Sequence, residues 1–290
     1  MDASVVVLAQ PQDILMKLPD AAQLSRMPPF CQLGPVQLQN TLDLAEVRRI
    51  AGGAVVFEEG QPVRQFHLLL SGHIRFLRLT DEGDQIIVLH IPAGQMFGIG
   101  VALGQVTHQV TAISANDCVV FSWPNACWPV FCDAYDGFAA EAFRAFGARS
   151  GEMSNRIVEL STKQVEQRVA CALLRMIAQS GRKVAGGIEI GFPISRQNIA
   201  DMTGATLHTV SRMLSVWERL GIVKSTRCLI VVTDPHQLVM ISGMANGDEI
   251  DGPTAILPAR YARAANTAAR NSARKIASSS RYSAQASTTV

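Results

Sequence analysis

The sequence predicts an α+β protein: an N-terminal antiparallel β-roll, a long dimerisation helix and a C-terminal winged helix-turn-helix. Three observations carry this. Short β-rich apolar runs follow one another closely up to Trp123. After Trp128 a long stretch repeats its apolar residues in steps of three and four. Two short amphipathic helices and a small hairpin then arrive in order before Leu238.

The early runs are AVVF, FHLLL, IRFLRL, QIIVLHI, QVTAI and CVVFSW, separated by EEGQP, SGH, TDEGDQ, PAGQ and AND. Gly, Pro, Asn and Asp mark the turns, and strands this closely spaced return antiparallel. Upstream, VQLQNTLDLAEVRRI (36–50) has helical spacing, and residues 1–20 read as a loose arm. In the long stretch, Phe143, Phe146, Ser150, Met153, Ile157, Leu160 and Gln164 form a heptad-like seam, the pattern that invites a second helix. Next come VEQRVACALLRMIAQSG, ending in Gly181, and ISRQNIADMTG, with Ser195 as N-cap and Gly204 as its stop. The boundaries fall at residues 22–135, 136–164 and 165–242, followed by a disordered basic tail over 243–290.

Composition bounds the function. The chain has 290 residues, 48% hydrophobic and 17% charged, enough for two ordinary domains with real cores. Its net charge of +2 hides an asymmetry, because six Lys/Arg and no acid lie beyond Pro258. Nucleic-acid binding therefore rests on a local site rather than on overall charge. The six cysteines form no CxxC pair, which implies reduced thiols in the cytoplasm. The uncharged run Gln85–Asn116 is broken by Pro92 and four glycines, so no membrane span is expected.

TLHTVSRMLSVWERLG (206–221) is the most informative segment. As a helix capped by Thr206, it buries Val210, Leu214 and Trp217 and turns His208, Arg212, Ser215 and Arg219 outward. A helix-turn-helix offers such a face to the DNA major groove, where Arg forks onto guanine and Ser bonds base edge or phosphate. On that face His208 and Arg212 are the candidate base readers. Ser195, Arg196, Thr206, Thr209, Lys224 and Arg227 are the candidate phosphate and positioning residues.

SRQNIADMTGATLHTVSRMLSVWERLGIV resembles the winged helix-turn-helix of the CRP/FNR transcription regulators. LLLSGHIRFLRLTDEGDQIIVLHIPAGQMFG resembles their cyclic-nucleotide-binding-like β-roll, or jelly roll. The resemblance spans about Ala22 to Leu238. It implies a cytoplasmic, non-enzymatic homodimer, with Phe143, Phe146, Met153, Ile157 and Leu160 in its seam. It also implies double-stranded DNA with a two-fold symmetric operator, RNA polymerase as a partner, and an effector-sensing roll. Ser211 and Arg212 match the family's base-reading Ser and Arg, whereas His208 stands where many members have Glu. TLHTVSR and DPHQL resemble the nitric-oxide-responsive, NnrR-type branch.

For the effector, FGIGVALGQVTHQV contains neither the Arg nor the Glu that cyclic-nucleotide-binding members use, and no Lys or Arg occurs between Leu79 and Phe143. Cyclic AMP is not expected. Nor is an iron–sulfur cluster, because the N-terminal region offers only Cys31. The uncharged apolar roll is compatible with a small neutral effector, and the NnrR-type resemblance implies nitric oxide through haem, with His67, His73, His90 and His108 as candidate axial ligands. The glycines 98, 100 and 104 read as turn glycines rather than a dinucleotide loop. Two alternatives stand beside this reading: a metal-dependent cupin-like enzyme, although the sequence has no HxH pair with a following Glu, and a ligand-binding protein-interaction module.

Overall fold

The computed structural model describes residues 24–243, apart from 29 and 136. The expected N-terminal arm and the tail from residue 244 onward lie outside the described residues. A 3-10 turn (Phe30–Gln32) leads into α1 (Pro35–Asp43), which Pro35 opens at a position where its missing N–H costs nothing. The helix expected to run on to Ile50 stops here. Glu46–Ile50 is instead strand β1.

The remaining roll strands are β2 (Val55–Phe57), β3 (Gln65–Ser71), β4 (His73–Leu79), β5 (Gln85–Pro92), β6 (Met96–Phe97), β7 (Thr111–Ser114) and β8 (Cys118–Pro124). They form two antiparallel sheets, ordered β1-β8-β3-β6 and β2-β7-β4-β5. β1 pairs with β8 from Glu46↔Ser122 to Ile50↔Cys118. That ladder satisfies main-chain groups on the edge of β8 that a longer α1 would leave bare, and it overrides the local helical spacing.

β3 is buried on both faces, which is why FHLLL reads as a continuous apolar run. Leu69 faces Ile74, Ile91, Phe97 and Val120 between the sheets, while Phe66 and Leu68 face an outer layer with Phe30, Trp123, Phe131 and Phe138. The turn from β3 to β4 needs Gly72: its φ is +89°, and a Cβ there would lie 2.6 Å from the Asp117 carbonyl oxygen.

Two helices follow, α2 (Cys127–Ala134) and α3 (Phe138–Thr162). All the expected seam residues on α3 are exposed, among them Phe143, Phe146, Ser150, Met153, Ile157 and Leu160. Gln164 is the exception to the seam, because α3 ends at Thr162 and Gln164 becomes the N-cap of the next helix.

The third region comprises α4 (Val165–Ser180), β9 (Gly181–Val184), β10 (Gly187–Ile190), α5 (Arg196–Thr203), α6 (Leu207–Arg219), β11 (Val223–Ser225), β12 (Ile230–Val232) and α7 (Pro235–Ser242). Its sheet runs β11-β12-β10-β9. The hairpin β9–β10 and helix α7 were not anticipated from the sequence. One core joins Leu173 and Ile177 of α4, Ile199 of α5, Val210, Leu214 and Trp217 of α6, and Val232 and Leu238. Ile87 of β5 belongs to the same cluster, so the winged region packs directly on the roll.

Candidate nucleic-acid interface

α5 and α6 owe their mutual angle to caps that the sequence specifies. The Ser195 hydroxyl accepts from the Asn198 N–H (3.1 Å), and the Asn198 side chain accepts from the Ser195 N–H (3.1 Å). The two residues thus satisfy two donors of the first turn. α5 ends at Gly204, whose φ of +59° suits a residue without Cβ. Thr206 then caps α6 by accepting from the Thr209 N–H at 3.2 Å.

Sequence reasoning missed the residue that fixes the turn from outside. Arg168 of α4 donates through Nε to the Thr203 carbonyl (2.9 Å) and through Nη2 to that of Gly204 (3.4 Å). These carbonyls lie at the end of α5, where no intrahelical partner exists. Glu166 also acts across helices, accepting from Trp217 Nε1 at 3.2 Å.

With the underside of α6 fixed, its other face is presented to solvent. His208, Arg212, Ser215 and Arg219 are exposed, and Ser211 and Thr209 are partly so. Among the described residues, His208, Arg212 and Arg219 have no hydrogen-bond or ion-pair partner. Among the described residues, no carboxylate lies within ion-pair distance of Arg212. Lys224 on β11 and Arg227 at the wing tip are likewise exposed and without partners.

The candidate positioning residues divide. Thr206 and Thr209 share a hydroxyl–hydroxyl bond of 2.9 Å, and Ser195 is engaged as the cap described above. Arg196 braces the wing: its Nη2 lies 3.5 Å from Glu218 Oε1 and donates to Ser225 Oγ at 3.1 Å. Glu218 also accepts from the Ser225 N–H (3.2 Å) and from its hydroxyl. The acid at the end of α6 therefore holds the wing and leaves the outward ridge unopposed.

The four roll imidazoles fall into two pairs rather than one site. Inside the roll, the His108 ring stacks on Phe57 at 3.7 Å, and His67 lies 4.9 Å from Phe97 while its Nδ1 bonds Ser122 Oγ at 2.8 Å. On the outer face of β4 and β5, His73 and His90 lie 4.4 and 4.8 Å from Phe192 of the winged region. Burial pulls the pKa of His67 and His90 down to about 3 and that of His73 to about 4. All three are neutral in the folded chain near pH 7.

Residues 167–241 match the Crp-like helix-turn-helix domain, and residues 47–135 match the cyclic nucleotide-binding domain. The chain is a transcription regulator of the CRP/FNR family. Among curated relatives, it is 23% identical to electron transport regulator A of Shewanella oneidensis, over 74% of this chain and 90% of that protein. It is 22% identical to the CRP-like cAMP-activated global transcriptional regulator of Mycobacterium tuberculosis, over 64% of this chain and 83% of that protein. In fold it is similar to FixK2 from Bradyrhizobium japonicum, with a TM-score of 0.62 and 24% identity, covering 69% of this chain and 98% of that one. Among the described residues, no helix is long and apolar enough to cross a membrane.

Proposed function

We propose that the chain acts as a homodimer that reads a two-fold symmetric operator with His208, Ser211 and Arg212. The observation that carries this is the outward ridge of α6, cationic and unpartnered on a helix whose other side is anchored by Val210, Leu214 and Trp217. Arg212 supplies a forked donor for guanine, Ser211 a hydroxyl for base edge or phosphate, and His208 an imidazole that donates or accepts. Lys224 and Arg227 hold phosphates on the wing side. The cap hydroxyls of Ser195, Thr206 and Thr209 face the same backbone, and Arg196 reaches it with the N–H groups not engaged by Glu218 and Ser225. The exposed seam of α3 is the dimer contact, with Phe143, Phe146, Met153, Ile157 and Leu160 buried against the same residues of a second copy. Two-fold symmetry then sets the reading helices about 34 Å apart, one turn of DNA.

The dimer works in the cytoplasm, and RNA polymerase is its further partner. Its effector binds the roll and shifts the population towards the dimer geometry that matches the operator. Cyclic AMP is a poor fit, since Phe97–Val110 carries no Arg or Glu to hold its phosphate and ribose. Nitric oxide through haem is the specific form of the neutral-effector reading. His67 favours it, because Ser122 orients the ring through Nδ1, so that Nε2 would be the atom to hold the iron. The packing of Phe57 and Phe97 against that ring opposes it, and a porphyrin enters only if those aromatics move. Selection of bound duplexes from a random pool, with and without haem and nitric oxide, tests the whole reading. The expected product is a palindromic motif whose enrichment changes with effector, together with a Soret band on reconstitution. No enriched motif under any condition sinks the DNA reading, and a missing Soret band removes haem alone.

A further inference from the structure

Beside the apolar seam of α3 runs a second stripe, displaced by one residue and built from charge. Arg149, Glu152, Arg156, Glu159 and Lys163 repeat the seam's spacing of three and four, with Lys163 at the C-cap. The two stripes lie about 100° apart around the helix. One faces outward, and the other faces into the chain.

The three cations of this stripe sit seven residues apart, and each donates to main-chain carbonyls of a different part of the molecule. Arg149 donates to Met96 O and, at 3.1 Å, to Gln95 Oε1, both in the roll. Lys163 donates to Ser242 O at 2.8 Å, in the winged region. Arg156 does both. Its Nη1 donates to Val88 O and its Nη2 to Ile87 O (2.9 Å) on β5 of the roll, while Nη2 also reaches Met202 O (2.7 Å).

Met202 lies in the last turn of α5, where carbonyls have no helical partner. Arg156 from α3 and Arg168 from α4 therefore complete the end of α5 together, immediately before the turn into α6. The acids of the same stripe join α3 to α4. Glu159 accepts twice from Arg175 (3.1 and 3.0 Å), and Glu152 accepts from Gln179 at 3.0 Å.

We propose that Arg156 is the positioning residue that fixes the winged region against the roll and thereby sets the spacing between the two recognition helices of the dimer. The inference rests on the dimeric DNA-reading proposed above. Its geometric basis is that one planar guanidinium spans β5 and α5 from a position next to the seam, so repacking of the seam carries both attachments with it. A planar fork holds several carbonyls at fixed angles, which a single ammonium does not.

The test is half-site spacing. The full-length dimer is titrated against its selected operator and against duplexes with the half-sites moved one or two base pairs closer or farther apart. Wild type strongly prefers one spacing. Arg156→Gln narrows that preference by about tenfold, the loss of a charged hydrogen-bond set, while a duplex carrying one half-site binds as before. Arg149→Gln removes a buried guanidinium whose hydrogen bonds go only to Gln95 and Met96 of the roll, and it keeps the wild-type spacing preference. Should Arg156→Gln fail to fold, Arg156→Lys retains the charge and is expected to narrow the preference likewise. A wild-type spacing profile in the Arg156 variants, or the same narrowing in Arg149→Gln, overturns the inference. Failure of wild type to select any duplex is a different outcome, and it overturns the DNA reading itself.

Discussion

Two groups of cations in this chain carry the same chemistry and sit in opposite circumstances. Arg212, Lys224 and Arg227 are exposed and have no partner among the described residues. Arg149, Arg156, Arg168 and Arg175 are turned inward, and each donates to carbonyls or carboxylates of neighbouring elements. The difference teaches that net charge says little about where a chain binds polyanion. What matters is whether the fold has already provided acceptors. Burial also lowers the pKa of Arg149 to about 10, whereas carbonyl contacts keep the group useful as a multiple donor.

The sharpest way to break this contrast is to delete one cation from each group. Arg175→Ala leaves Glu159, 12% exposed, buried without its bidentate partner. It is expected to destabilise the chain by about 3–5 kcal/mol in urea denaturation. Arg212→Ala is expected to change stability by less than about 0.5 kcal/mol in the same assay. Equal losses in the two variants would erase the distinction.

Acid provides a second contrast, this time between the same imidazoles in the folded and in the unfolded chain. His67, His73 and His90 titrate near 6.5 when unfolded and near 3 to 4 when folded, because burial disfavours their charged forms. Below pH 6.5 the unfolded chain binds protons that the native chain does not. Stability is therefore complete above pH 6.5 and falls as pH drops towards 4, by up to about 1.4 kcal/mol per pH unit for each histidine. Replacing His90 with Gln should flatten that slope in a pH series of unfolding curves. An unchanged slope would mean that His90 is not held neutral.

On DNA the order of effects reverses. Arg212→Ala should cost about 1–3 kcal/mol at one base pair of each half-site and relax the preference there. Lys224→Ala should weaken all sequences alike and reduce the slope of log K against log salt by about 0.9 for each protomer's lost phosphate contact, about 1.8 for the dimer. If Lys224→Ala altered base preference instead, the wing would be reading sequence rather than holding phosphate.

Much of this contrast was legible in the sequence, for identifiable reasons. Ser195, Gly204 and Thr206 announce the ends of α5 and α6 because capping is local chemistry, and the Val210, Leu214, Trp217 stripe fixes which face turns out. Six of the eight roll strands were legible from short β-rich runs and turn residues. β1 and β6 were not, because EVRRI becomes a strand only when β8 supplies the partner edge, and the two residues of β6 only where they pair with β3. The stripe Arg149, Arg156, Lys163 has a visible period, yet its partners are main-chain carbonyls of Val88, Met202 and Ser242. No side-chain pattern reports a carbonyl. The pairing of Arg196 with Glu218 was hidden for a similar reason, since the two meet only when the wing folds back on α6.

The most direct test is a base-by-base titration of the selected operator with wild type and Arg212→Ala. The account predicts that wild type discriminates at symmetry-related positions of both half-sites. The variant should lose discrimination at one such pair of positions, with its fold and its discrimination elsewhere intact. Identical base preferences in the two proteins would contradict the claim that the outward ridge of α6 reads DNA.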